Sequence, residues 1–484
     1  MANVKAAIKQ VEVGSAPIDG FRPLLDGDLW SDLEHETAGL ADSLRGRVLW
    51  NVNSTARGGG VAELLASLIP YDRGAGIDER WLVIEGSSEF FETTKKLHNL
   101  LHGVTTDGAQ IEDLEKATYE QASLRNAGAL AELMRPGDVA ILHDPQTAGL
   151  IPTLNSRGVR VIWRSHIGVD DANDVVRNGW SFLRPYLATA SAYVFSRRAY
   201  IWDGLDESRV AIISPCIDPF STKNVDLTAD SVTAILHASG MLQGADGEAT
   251  FTRHDGTAGR VVRSVLMDHA PPPSDARIVL QVSRWDRLKD HAGVLEAFAR
   301  HIAPATDAWL VLAGPAPTSV NDDPEQPEML SDLEHRRGTL PPAVRSRVAI
   351  AQLPMEDTEE NAAIVNALQR RADIVIQKSL AEGFGLTVAE AMWKGRPVVA
   401  SRVGGIGDQI EDGRSGVLVD DPKDLPAFGR AVAGLLGDPS RASRLGAEAR
   451  RRVTREFISP CHLISQARLV QRVLAGPDKA RTKV

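Results

Sequence analysis

Two Rossmann-like α/β domains, each built on its own parallel sheet, form the architecture this chain predicts. Three observations carry that prediction. Short runs of apolar and β-branched residues recur along the 484 positions, helix-like patterns separate them, and the whole rhythm occurs twice. The runs are nearly continuous in apolar residues instead of alternating, as expected of parallel strands covered on both faces. Strands alternating with helices imply right-handed crossovers in an open sheet.

In the first half the runs are Arg47–Val52, Trp81–Ile84, Val139–Leu142, Val159–Trp163, Ala192–Phe195 and Val210–Ile213. Helical patterns such as Val61–Leu68 and Ala129–Met134 lie between them, the latter stopped by Pro136-Gly137. The second half repeats the rhythm with Arg277–Val282, Trp309–Ala313, Arg347–Ile350, Asp373–Ile376, Pro397–Ala400 and Gly416–Val419. A single eight-stranded barrel is the competing architecture, and the number of runs exceeds what it uses. Two prolines interrupt the pattern between Ile213 and Pro219, which places one domain over 1–224 and the other over 225–455. The stretch Gly244–Gly259 reads as an exposed loop, Glu456–Leu474 as a helix broken at Pro460, and 476–484 as a frayed tail. The first forty-odd residues show no clear pattern.

Composition narrows the function classes. Hydrophobic residues make up 43% and charged residues 24%, an ordinary globular balance. No apolar run approaches the roughly 18 residues of a membrane span, and the polar start MANVKAAIKQ is no signal peptide. The net charge of −10, with no dense Lys/Arg tract, argues against nucleic acid as a partner. Two cysteines, Cys216 and Cys461, cannot form a disulfide framework or a cysteine-rich zinc module, so a cytoplasmic setting is expected.

Ligands of such sheets bind beyond the carboxyl ends of the strands, so the cleft between two such domains is the expected site. After the first strand comes Asn51-Val-Asn53-Ser-Thr-Ala-Arg-Gly58-Gly59-Gly60, a glycine-rich turn opening a helix. It reads equally as an anion-binding turn or as a plain tight turn. It is neither the GxGxxG fingerprint nor a P-loop. The third strand runs into His143-Asp144-Pro145-Gln146 and the fourth into Arg164-Ser165-His166, which puts two histidines on strand-end loops without a metal-ligand spacing.

In the second half Ser283-Arg284-Trp285-Asp286-Arg287-Leu288-Lys289 forms a basic strand-to-helix turn suited to a diphosphate. The segment Glu382-Gly383-Phe384-Gly385-Leu386-Thr387-Val-Ala-Glu390 places two carboxylates around a Gly-Phe-Gly turn that leads into a helix. Carboxylates suit sugar hydroxyls, and the free N–H groups of a helix start suit a phosphate.

These blocks resemble the retaining nucleotide-sugar glycosyltransferases of the GT-B type. A closer resemblance, to the trehalose glycosyltransferring synthases, rests on VNSTARGGGVAELLASLIP, WLVIEGSSEFFETTKKLHN, HDPQ, WRSHI, CIDPFSTKN, QVSRWD, EGFGLTVAEAMWKGRPVVASRVGGI and DGRSGVLV. The resemblance implies the GT-B fold, with a C-terminal helix in 456–484 returning to the first domain and hinges near Pro219 and Pro460. It implies donor contacts from Gly59, Gly60, Arg284, Lys289, Glu382, the turn Gly383, Phe384, Gly385, Leu386 and Thr387, and Glu390. Glu382 would touch the donor sugar, Glu390 the ribose, and Arg284 with Lys289 the diphosphate. Asn53, Glu89, Asp144, Arg164 and His166 would form the acceptor side, His166 also aligning the donor glucose.

The implied reaction is transfer of an α-glucosyl group from NDP-glucose to glucose, giving α,α-trehalose with retention. Neither Asp170-Asp171 nor Asp322-Asp323 directly follows a predicted strand, so no metal or other cofactor is expected. Trehalose phosphorylase, a transferase with another small acceptor, and a nucleotide-sugar epimerase are the alternatives. Donor base, reaction direction and oligomeric state stay open, a homodimer among the options.

Overall fold

A computed structural model describes residues 8–57, 59–105, 108–244, 247–267, 269–317 and 325–476. Gly58, the pair Asp322-Asp323 and the tail beyond 476 lie outside the described residues. The chain divides into one unit of Met1–Cys216 with Ser459–Val484, and another of Ile217–Ile458.

Among the described residues, the first unit carries a sheet of seven strands: β1 (Lys9–Val11), β2 (Leu49–Asn53), β3 (Glu79–Val83), β4 (Val139–His143), β5 (Arg160–Ser165), β6 (Ala192–Phe195) and β7 (Val210–Ile212). Their spatial order is β1-β3-β2-β4-β5-β6-β7. All neighbours pair in parallel except β1, which runs antiparallel to β3 with Lys9 opposite Val83. This edge strand is too short and too exposed to leave a pattern in the sequence.

Successive residues of each strand serve opposite faces. Trp50, Val52, Leu142, Trp163 and Phe195 belong to a core cluster that also takes in Phe90 and Leu97 of the helix Ser88–Leu101 and Leu183 of the helix Asp174–Leu187. Leu49, Ile141, Ile162 and Val194 cluster instead with Leu40 of the helix Gly27–Ser43 and with Ala467 and Val470 of the helix Ser459–Ala475. The C-terminal helix therefore completes the first unit's core. Arg468 ties it to Asp32 at 2.9 Å and to Glu36 at 2.8 Å.

In the second unit lie an antiparallel hairpin, β8 (Thr250–Thr252) with β9 (Ala258–Arg260), and a parallel sheet. The sheet comprises β10 (Ile278–Val282), β11 (Trp309–Pro315), β12 (Val348–Leu353), β13 (Ile374–Gln377), β14 (Val398–Ser401) and β15 (Val417–Val419), in the order β12-β11-β10-β13-β14-β15. Its core gathers Val279, Leu310, Ile350, Ile376 and Val399 with Phe298, Leu330 and Phe428.

Three local expectations need correction. The unit boundary falls at Cys216/Ile217 instead of after residue 224, because 217–224 is held by the second unit. Ile217 N–H donates to Phe457 O at 2.9 Å, and Asn224 accepts from Trp393 Nε1 and Lys394 Nζ, each at 3.0 Å. Glu456 ends the helix Pro439–Glu456, so the last helix begins at Ser459. Pro460 then sits in a first turn, where its missing N–H costs nothing. Residues 250–259 of the stretch Gly244–Gly259 belong to the hairpin just described, with Arg253 anchored on Asp357 at 2.6 Å and Glu359 at 3.1 Å.

Cys216 is buried and Cys461 half-buried. Among the described residues no helix is long and apolar enough to cross a membrane.

Candidate functional site

Beyond the carboxyl ends of β2, β4 and β5, the first unit assembles a polar network. His143, the last residue of β4, is 2% exposed; its Nδ1 lies 2.9 Å from His166 Nε2 and its Nε2 lies 3.0 Å from Asn51 Oδ1. The two imidazoles stack with centroids 5.2 Å apart. Asp144 has the left-handed φ of 63° that few side chains adopt, and its Oδ1 accepts the His166 backbone N–H at 2.8 Å. Burial pushes the Asp144 carboxyl up to about 7, against the pull of Arg164 and of that hydrogen bond. Burial and the Arg164 charge hold both imidazoles neutral, well below the usual histidine range.

Arg164 is itself buried. Its Nη1 donates to His462 Nε2 at 2.8 Å and its Nη2 reaches Ile213 O at 3.4 Å, while burial lowers it to about 10. It thus gives its hydrogen bonds to the fold and positive potential to the histidines. Asn53 orders the loop after β2, its Nδ2 donating to Thr55 O at 2.7 Å and its Oδ1 accepting from Trp81 Nε1 at 2.8 Å. Glu89 stands exposed in the first turn of its helix, apart from the histidine network. Gly59, at φ 85° and ψ 154°, adopts a conformation that essentially requires glycine, and a Cβ on Gly60 would meet nothing within 4 Å.

In the second unit the two loops singled out in the sequence do meet. Lys289 Nζ donates to Glu382 Oε2 at 2.5 Å, and Ser379 Oγ donates to the same oxygen at 3.2 Å. Arg284 is exposed beside Asp286, at 3.5 Å. Asp286 caps its own turn, its Oδ1 accepting from the N–H groups of Leu288 and Lys289.

Gly385, at φ 85°, opens the helix Leu386–Trp393, and Gln409 Nε2 donates to the carbonyls of Phe384 and Gly385 at 2.5 and 3.3 Å. Gly383 O accepts from Gly405 N–H at 3.0 Å, so the turn is pinned from behind. Leu386 and Thr387 supply first-turn N–H groups, which have no partner within a helix. Glu390 is 4% exposed, 3.6 Å from Lys223 and approached by Gln369 Nε2 at 3.4 Å. Glu382 and Glu390 thus have different partners.

Sequence reasoning passed over His462, Lys378 and the carboxyl pair Asp72 and Glu79. Lys378 is buried and bonded to Asp290, whose left-handed φ of 48° caps the helix His291–Ala297. Asp72 and Glu79 are both buried, and Gln466 Nε2 donates to Asp72 Oδ2 at 3.1 Å. A charged residue inside an apolar pattern was the available signal for Lys378, Asp72 and Glu79. His462 carried none, because its partners come from distant strands. Among the described residues no group of three or more His, Cys, Asp or Glu side chains is placed to hold a metal ion.

Glycosyltransferases of the GT-B type are the class that this fold defines. The chain superposes with a TM-score of 0.63 on an α,α-trehalose-phosphate synthase (UDP-forming) from Burkholderia vietnamiensis, at 15% identity over 88% of this chain and 99% of that one. It superposes with a TM-score of 0.57 on an Anabaena protein in complex with UDP-glucose, at 14% identity over 87% and 98% of the two chains.

Residues 51–202 match the family described as "Trehalose synthase, N-terminal domain", and residues 276–438 match "Glycosyl transferases group 1". The chain is 35% identical to the trehalose synthase of Rubrobacter xylanophilus, over 96% of this chain and 99% of that one. It is 32% identical to the trehalose synthase of Pyrococcus horikoshii, over 94% and 96%. A trehalose phosphorylase of Grifola frondosa is 26% identical, over 91% of this chain and 58% of that one. The chain belongs to the trehalose synthase family of glycosyltransferases.

Proposed function

We propose that this hexosyltransferase moves an α-glucosyl group from an NDP-glucose to free glucose, with retention and without a metal, forming α,α-trehalose. The observation that carries the reading is the 2.5 Å contact of Lys289 with Glu382 beside the Gly385 turn. A carboxylate, a cation and a helix start come together in one unit, a combination that supports a sugar diphosphate as the ligand. The near full-length relatives named trehalose synthase support the choice of product.

In this reading the anomeric C–O bond to the diphosphate breaks, and negative charge grows on the leaving phosphate oxygen. Lys289 has three N–H donors and uses one on Glu382, so two remain for phosphate. The Leu386 and Thr387 N–H groups and Arg284 add to that stabilisation. The acceptor hydroxyl attacks on the face the diphosphate is leaving, and its proton passes to the departing phosphate oxygen. Glu382 binds hydroxyls of the donor glucose, and Glu390 holds the ribose from its buried position. His166 aligns sugar beside Asp144.

Incubation with ADP-, UDP- and GDP-glucose plus glucose, followed by separation of the disaccharide, tests this reading. Trehalose formed with at least one donor and in the presence of EDTA is expected. Hydrolysis alone with all three would sink the assignment, and loss of turnover on chelation would sink metal independence. Trehalose broken down faster with phosphate than with NDP would favour a phosphorylase.

A further inference from the structure

Behind His166 runs a chain of side-chain hydrogen bonds that the proposed reaction does not use. Glu79 Oε1 lies 2.6 Å from Asn51 Nδ2, Asn51 Oδ1 lies 3.0 Å from His143 Nε2, and His143 Nδ1 lies 2.9 Å from His166 Nε2. Glu79, Asn51 and His143 are each at most 2% exposed, so water does not compete for these bonds. Each link has one donor and one acceptor, and setting the first sets all the rest.

The first link is set at Glu79. Its Oε1 faces two amide nitrogens, Asn51 Nδ2 at 2.6 Å and Gln466 Nε2 at 3.5 Å, and therefore accepts. Burial and the neighbouring Asp72 charge keep Glu79 well above the usual carboxyl range, which leaves its proton for the other oxygen. With Asn51 Nδ2 donating to Glu79, Asn51 Oδ1 is the atom left to accept from His143 Nε2–H. His143 is neutral, so its Nδ1 has a lone pair and accepts from His166 Nε2–H. His166 is neutral as well, held so by burial and by the charge of Arg164, with His143 and His462 opposing in the same direction. Among the described residues its Nδ1 has no protein hydrogen-bond partner.

We propose that the buried chain Glu79–Asn51–His143–His166 locks the His166 ring as its Nε2–H tautomer, so that Nδ1 presents a hydrogen-bond acceptor to a sugar hydroxyl. Asn51 and Glu79 are then positioning residues, acting on substrate through two imidazoles. The opposite polarity, with Asn51 turned over, would make His166 Nδ1–H a donor and reverse which sugar atom it can hold. The hydroxyl half of this inference rests on the transferase reading above, whereas the tautomer half stands on the unliganded protein.

Nitrogen-15 NMR of histidine-labelled full chain, assigned with His143→Gln and His166→Gln, reads the tautomers directly. His143 and His166 should each show Nε2 protonated and Nδ1 bare. His462, whose Nε2 accepts from Arg164 and whose Nδ1 faces Ser214 O at 3.2 Å, should show the opposite pattern in the same spectrum. Protonation of His166 on Nδ1, or on both nitrogens at neutral pH, would overturn the inference.

Glu79→Gln keeps a carbonyl for Asn51 and should retain the His166 pattern. Asn51→Ala should give mixed tautomers and lower kcat/KM about tenfold, the worth of roughly one hydrogen bond. An unmixed His166 pattern in Asn51→Ala would also overturn the inference. Should that variant not fold, the wild-type and Glu79→Gln spectra decide. Glucose should shift the His166 Nδ1 resonance, and no shift at saturation would remove the hydroxyl role. The expected tautomers in a protein that forms no disaccharide would confirm the chain of bonds while the transferase reading fails.

Discussion

Arg164 Nη1 donates to His462 Nε2 across 2.8 Å, joining two residues 298 positions apart. The bond fastens the C-terminal helix beneath the strand ends that carry His143 and His166. It also fixes His462, whose other ring nitrogen donates to Ser214 O at 3.2 Å. His462→Ala should destabilise the fold by about 2 kcal/mol, the range for a hydrogen bond made by a charged group. His462→Gln, which keeps an acceptor, should recover part of that. Equal urea midpoints for wild type and His462→Ala would show that the bond contributes nothing.

Lys289 offers a sharper test of chemistry, because its ammonium meets Glu382 at a turn, with 16% and 13% of the two side chains exposed. Lys289→Ala should lower kcat by roughly 10²–10³-fold, as loss of one transition-state charge contact does elsewhere. Its urea midpoint should stay close to wild type. A fall in midpoint matched by only a slight fall in kcat would assign Lys289 to the structure instead.

Geometry at the glycine turn makes a steric prediction. A Cβ on Gly405 would stand 2.7 Å from Phe384 Cα and 2.9 Å from Gly383 O, both backbone atoms that cannot move aside. At Gly385 the Cβ would meet Ile406 Cγ1 at 3.0 Å, and the φ of 85° adds a left-handed strain of about 1–2 kcal/mol. Gly405→Ala and Gly385→Ala should each raise KM for the nucleotide sugar by displacing the turn. Unchanged donor binding by calorimetry in both would separate the turn from the donor.

Acid–base linkage gives a fourth prediction. Burial raises Asp72 from 3.8 to about 6, so the folded state holds its proton more tightly than the unfolded state does. Stability from this group is therefore complete below about pH 4 and is lost as pH rises through about 6. Asn at this position does not titrate, and Glu79, freed of the Asp72 charge, shifts in the same direction. Relative to wild type, Asp72→Asn should gain stability between pH 4.5 and 7.5, as read by urea unfolding at each pH. A constant difference would refute the assignment.

Apolar continuity is a local property, and it makes the parallel strands of both sheets legible in the sequence. Trp81–Ile84 and Val139–Leu142 predict strands because their own residues suit burial on two faces. The short Lys9–Val11 edge strand lacked that signature, and the 250–260 hairpin was too brief to show alternation. The Glu382–Glu390 block was readable for a related reason, since a helix start and its preceding turn lie within one stretch of chain.

What no stretch of chain contained was the partner of each buried polar group. The sheet order places β2 between β3 and β4, which brings Asn51 beside both Glu79 and His143. The same packing logic sets Lys289 against Glu382 across 93 positions and Arg164 against a helix at the far end of the sequence. Burial makes such groups find partners, but strand order and helix packing choose which partners those are. The strands and the turn chemistry could thus be inferred from the order of residues, whereas the hydrogen-bond network around His166 exists only once the sheet has closed around it.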